Sequence, residues 1–163
     1  MAETFQLWMS HDVAERIRRH GAETFPHECC GALLGRDSVA AEKASARDET
    51  PSKETREVLE LFPLVNRRDD SPRNRFAVTA DDVRDAEKAA SQHGLEVIGW
   101  YHSHPDHPAR PSDFDREHAW PWYSYVIVSV MAGKPADMTS WRLNDARLNY
   151  SPEGIEIRKG ALA

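Results

Sequence analysis

Apolar positions alternate at Phe5, Leu7 and Met9, a period of two that predicts a short opening strand. The period then changes. Ser10 has the hydroxyl that caps helices, and Val13, Ala14, Ile17 and Gly21 recur on one helical face, so a helix is predicted to run to about Thr24. The continuous apolar run 30–34 predicts a buried strand, followed by a turn over 35–38. Residues 39–46 are weakly patterned and read as a returning strand, 48–53 as a polar turn, and 57–62 as a further alternating strand.

In the second half, Asp69-Asp70-Ser71-Pro72 marks a loop over 66–75. Thr79 caps a second helix with Asp82 at the capping-box position, Val83, Ala86 and Ala90 facing inward, and Gly94 as its stop. The strand predicted over 95–101 delivers His102. The proline-rich passage 105–111 cannot extend that strand and reads as an ordered loop. Ser112 starts a short third helix ending near Trp120-Pro121. The clearest strand covers 123–131, with an antiparallel neighbour over 138–143. There is no internal repeat and no linker. The pattern predicts one α/β (α+β) domain over 1–163, with a mixed, largely antiparallel sheet flanked by helices.

A chain of 163 residues can bury a sizeable core, and 40% hydrophobic residues with 29% charged fit a globular protein. No apolar run approaches the roughly 20 residues that span a bilayer, and Met1 to Phe5 lack a basic and apolar leader, so no membrane partner and a cytoplasmic location are expected. A formal charge of −6 lacks the basic footprint of nucleic-acid binding. The only cysteines, Cys29 and Cys30, are adjacent and suit neither a disulfide framework nor a thiol zinc knuckle. They read as small buried apolar residues. A catalytic thiol, the sharper alternative, has no dedicated histidine.

Candidate chemistry concentrates at Trp100-Tyr101-His102-Ser103-His104-Pro105 and Ser112-Asp113-Phe114-Asp115. Two histidines one residue apart on an extended backbone project to the same side. An aspartate eleven positions after His104 can close a third corner. Two neutral imidazoles and one carboxylate suit zinc, and three protein ligands leave a position for water or substrate. Ser112-x-x-Asp115 also reads as a capping box. His107 and Asp113 are the neighbouring alternatives as ligands, and both read as surface positions. Ser103 should face the other side, in a supporting or packing role.

These residues carry a family resemblance. His102, His104 and Pro105, six intervening residues, Ser112, two more and Asp115 match the signature of the JAMM (MPN-plus) metallopeptidases, and the segment from Glu28 to Gly35 resembles that family's Glu-x-Cys-Gly-x-Leu-x-Gly motif. The resemblance implies a fold similar to cytidine deaminases, Zn2+ held by His102, His104 and Asp115, and a catalytic Glu28. Glu28 would then take a proton from zinc-activated water and pass it to the leaving nitrogen, with Ser112 helping zinc to stabilise the oxyanion. It further implies a zinc-dependent peptidase or isopeptidase acting on the tail of a ubiquitin-like or sulfur-carrier protein, possibly laid as an added strand at a sheet edge.

Two other functions use a similar fold. A non-catalytic MPN-type scaffold typically lacks the metal ligands, all of which this chain keeps. A zinc deaminase needs a Cys-x-x-Cys pair, which it lacks. Trp100, Tyr101, Trp120, Trp122 and Tyr123 read as core and site walls, with one or two available to a substrate groove. Arg67, Arg68, Arg73 and Arg75 read as a solvated loop, with contact to an acidic partner as the alternative.

Overall fold

Ser10 ends the first strand and begins the first helix. In the computed structural model of the chain, which describes residues 5–37, 54–65 and 78–159, its hydroxyl accepts the Val13 amide at 3.1 Å. That satisfies one donor that a helix start leaves unmet. Strand β1 (Phe5–Ser10) thus passes directly into α1 (His11–Thr24), whose buried residues are Val13, Ala14, Ile17 and Gly21. There follow β2 (Cys30–Asp37), β3 (Glu54–Leu64), α2 (Ala80–Gln92), β4 (Glu96–Pro105), α3 (Asp113–His118), β5 (Ser124–Met131), β6 (Lys134–Leu143) and β7 (Tyr150–Arg158). Thr79 and Asp82 form the expected capping box on α2. The strand, turn and loop expected over 39–46, 48–53 and 66–75 lie outside the described residues.

The mixed α and β character is present, but the sheet is not an open layer between helices. It closes into a barrel in the order β1-β3-β2-β4-β5-β6-β7. Four neighbouring pairs are antiparallel and three parallel, so the sheet is mixed. Closure depends on β7, which lies beyond the last strand predicted from the pattern. Pro152 and Gly154 give that segment the look of a turn. Yet it pairs antiparallel with β6 and parallel with β1, while Ile155 and Ile157 pack on the core. Every barrel strand has two partners, but β1 pairs with β3 only over Glu54–Val58, so the second half of β3 pairs with β2 alone.

The sheet curls around α1, which packs against six of the seven strands. Its apolar face meets Leu7, Met9, Leu33, Ile98, Val126 and Val128. Helix α2 covers the other face over β2, β3 and β4, against Ala32, Leu34 and Trp100. Leu33 points one way while Ala32 and Leu34 point the other, the period-two alternation of a strand buried on both faces. No described helix is long and apolar enough to cross a membrane.

The turn predicted over 35–38 is corrected: β2 runs on to Asp37, with a register shift between Leu34 and Gly35. Gly35 is there for close approach. A Cβ at that position would sit 1.8 Å from the Glu57 carbonyl oxygen. Gly31 has a similar reason, since its Cβ would fall 2.3 Å from the Tyr101 ring. Gly35→Ala must push strand backbones apart and is expected to cost about 2 kcal/mol, lowering the thermal midpoint by roughly 4–8 °C. Differential scanning calorimetry checks this, and an unchanged midpoint would contradict the packing account.

Candidate metal centre

Strand β4 alternates as the sequence suggests. Trp100 joins the outer apolar layer while Tyr101 joins the layer facing α1, so His102 and His104 share the outer face with Trp100. Because β4 and β5 run parallel, the chain must cross back between them. That crossover carries α3 past the end of β4. Ser112 is its N-cap: the Ser112 hydroxyl accepts the Asp115 amide at 3.0 Å, and Asp115 Oδ2 accepts the Ser112 amide at 2.9 Å. The reciprocal cap turns the Asp115 carboxylate back over the helix start.

The same oxygen faces both histidines. Asp115 Oδ2 is 3.1 Å from His104 Nε2 and 3.3 Å from His102 Nε2, and the two Nε2 atoms are 3.1 Å apart. All three side chains are buried. The Pro108 carbonyl, 2.9 Å from His104 Nδ1, can only accept, so Nδ1 carries the proton. In the neutral ring Nε2 then presents a lone pair to a carboxylate oxygen, which is repulsive unless a cation comes between them. Tetrahedral bonds of roughly 2.0–2.1 Å set donor atoms about 3.3 Å apart. The three observed separations fit that figure, so these residues could hold a metal ion.

The electrostatics show the same competition. Burial pushes the His102 imidazolium down, despite the opposing pull of Asp115. Burial also acts against a charged His104, but Asp115 and the Pro108 carbonyl outweigh it and raise that group. For Asp115, burial would raise the carboxyl, whereas the two imidazoles reverse this and hold it well below the usual carboxylate range. A second proton on His104 or a metal ion would relieve the same clash.

Glu28 enters from the segment between α1 and β2. Cys30 lies opposite His102 in the antiparallel ladder, so continuing the register by two places sets Glu28 across from His104. Opposite residues of such a pair share a face. Ser103 ties the segments together: its hydroxyl accepts the Cys29 amide at 2.8 Å, and its own amide donates to the Cys29 carbonyl at 3.2 Å. Glu28 is buried, at 3% exposure. Ser112 is exposed, and its cap bond uses an acceptor lone pair of the hydroxyl while leaving its proton uncommitted to that bond.

The alternatives fall outside this cluster. His107 and Asp113 are exposed and do not belong to the convergent group. Cys29 and Cys30 are buried, and burial pushes both thiols up to about 12, the reverse of what a nucleophilic thiolate needs. The Pro108 carbonyl escaped the sequence reading, because a backbone oxygen leaves no residue-type signal. Beside the cluster opens a cavity of about 810 Å³ walled by Val83, Phe114, Trp120, Trp122 and Tyr123, with His102 and Asp115 in its lining.

Comparison with known proteins bears on the family and the fold. Residues 10–144 match the family described as prokaryotic homologs of the JAB domain, a span containing Glu28, His102, His104, Ser112 and Asp115. A desampylase from Haloferax volcanii is 31% identical over 129 residues, covering 76% of this chain and 81% of the relative. A solution structure from Desulfitobacterium hafniense superposes with a TM-score of 0.75 at 27% identity, covering 95% of this chain and 94% of the other. One from Salinibacter ruber gives 0.64 at 40% identity, covering 92% and 90%.

Calorimetric titration with a divalent metal is expected to show one ion per chain. The affinity should fall as pH drops, because protons compete for the imidazoles, first at His104, whose group is raised. His104→Ala and Asp115→Ala should each abolish tight binding while the far-ultraviolet circular dichroism persists. Full stoichiometry in either variant would place the ion elsewhere.

Proposed function

Because this chain belongs to the prokaryotic JAB-domain family, as a small member of the JAMM/MPN group, we propose that it is a zinc-dependent hydrolase of peptide or isopeptide bonds. The proposed substrate is the C-terminal tail of a ubiquitin-like or sulfur-carrier protein. One observation carries the reading: a buried aspartate and two buried histidines converge at tetrahedral donor spacing. The desampylase match supports a ubiquitin-like modifier as substrate.

Held by His102, His104 and Asp115, zinc would supply Lewis acidity, which polarises a carbonyl and lowers the pKa of water towards roughly 7. The residues provide the remaining chemistry. His104 is fixed as the Nδ1–H tautomer by Pro108, which aims its Nε2 lone pair inward. Asp115 brings one negative charge, so a divalent ion held here retains net positive charge. Glu28 acts as the proton carrier, taking a proton from the attacking water and delivering it to the departing nitrogen. Ser112 sits at the exposed lip, where its hydroxyl proton can meet the oxygen that gains charge. Burial of the three donors keeps bulk water from screening these interactions.

The intact cluster favours this reading over a non-catalytic MPN-type scaffold. With zinc-loaded protein and Gly-Gly-extended ubiquitin-like substrates, mass spectrometry should detect a shortened product. Glu28→Gln should keep the metal and lose about 10²–10⁴-fold in kcat, and Ser112→Ala about 10²-fold. An active Gln variant would remove Glu28 from the proton transfer. Absence of cleavage by metal-loaded protein on every such substrate would favour the scaffold.

A further inference from the structure

The cavity beside the metal centre has a wall set in an unusual backbone state. Trp122 has φ +84° and is 48% exposed. Bulky residues seldom adopt that region, and burial gives little return at such a site. Its support comes from beneath. Arg56, on β3, is wholly buried, and its guanidinium carbon lies 4.1 Å from the centroid of a Trp122 ring. The guanidinium is itself fixed by Asp37 Oδ2 at 3.3 Å, the Ile98 carbonyl at 3.2 Å and the Ser124 hydroxyl at 3.0 Å. Its Nη2 makes no hydrogen bond among the described residues. A buried cation against an aromatic face is a strong form of cation–π contact. It holds the indole upright.

Tyr123 packs edge-on against both Trp122 and Trp100, with ring centroids 5.3 Å and 5.8 Å away. Trp100 is two residues before His102 on the same strand face. The cavity is thus walled by mutually braced rings and has His102 and Asp115 in its lining. A Gly-Gly tail has no side chain to fill a space of about 810 Å³. An occupant reaching His102 and Asp115 belongs to whatever is bound at the metal.

We propose that this cavity is a subsite for a bulky apolar side chain of the substrate peptide near the bond to be cut, with Trp122 its specificity-determining wall and Arg56 a positioning residue. The proposal rests on the hydrolase reading for the identity of the occupant as substrate. The side chain can lie on the acyl side or the amine side of the scissile bond, and the experiment separates the two.

Binding is measured by nuclear magnetic resonance of the Trp indole N–H signals, using zinc-loaded protein and three capped tripeptides: acetyl-Phe-Gly-Gly-amide, acetyl-Gly-Gly-Phe-amide and acetyl-Gly-Gly-Gly-amide. One of the phenylalanine peptides should bind about 10- to 200-fold more tightly than triglycine and shift the Trp122 signal. The peptide that does so identifies the side. Trp122→Ala and the cavity-filling Ala80→Trp should each reduce that preference to within about threefold. Arg56→Gln should broaden the Trp122 signal and weaken the preference, with Arg56→Lys restoring part of both. Equal binding of all three peptides by the native chain, or a preference that survives Trp122→Ala, overturns the subsite. The hydrolase is judged separately: turnover of Gly-Gly-extended proteins with no dependence on an apolar residue sinks only the subsite. Selective binding without cleavage of any substrate leaves an apolar binding pocket and sinks the hydrolase.

Discussion

One carboxylate oxygen is shared between a helix start and two imidazoles, and the candidate metal centre depends on that sharing. Asp115 Oδ2 accepts the Ser112 amide and stands 3.1 Å and 3.3 Å from the two histidine nitrogens. A solvated aspartate could swing away, but this one is turned by its cap. Its position follows from the crossover that parallel β4 and β5 require, because that passage carries α3 over the end of the strand bearing the histidines. On the opposing flank, Ser103 uses the face of β4 that the histidines leave free, binding the Cys29 backbone beside Glu28. Alternation along β4 thus lets a single strand present two histidines on one face and also brace the segment that carries Glu28.

A second polar assembly lies within the barrel. Glu153, almost fully buried, accepts from the Ser124 and Ser140 hydroxyls and from Arg142 Nε, at 3.2, 2.7 and 2.9 Å. Ser124 also meets Arg56, which reaches Asp37. Two arginines are thereby matched by two carboxylates across β2, β3, β5, β6 and β7. Buried charges paired in this way avoid the larger cost of isolation, although they add less net stability than a hydrophobic layer would. They tie the segments on either side of the seam where β7 closes the sheet, and their place in the barrel is narrowly defined by the partners each atom needs.

The sequence made some of this legible and hid the rest, for identifiable reasons. The stripe on α1, the caps at Ser10, Thr79 and Ser112, and the pairing of His102 with His104 on one face all follow from local periodicity and side-chain chemistry. Barrel closure does not. It rests on β7, whose Pro152 and Gly154 resemble turn residues until neighbouring strands supply partners on both sides. Gly35 misleads in the same way, since a glycine needed for close contact with Glu57 looks like a breaker when the neighbour is unknown. Arg56 lay in a run of charged residues, and only the folded chain places it at 0% exposure beneath Trp122. Local rules identify the donors, while long-range contacts determine the container.

Helix α3 has only six residues, well short of the length at which a helix persists alone in water. Its first turn is secured by the same Asp115 side chain that points at the histidines. An ion captured there would gain its third donor only while that turn is intact, and would in return oppose its fraying. Loading and local ordering are therefore one linked equilibrium. Amide exchange in this short segment should report on occupancy of the centre even when no substrate is present.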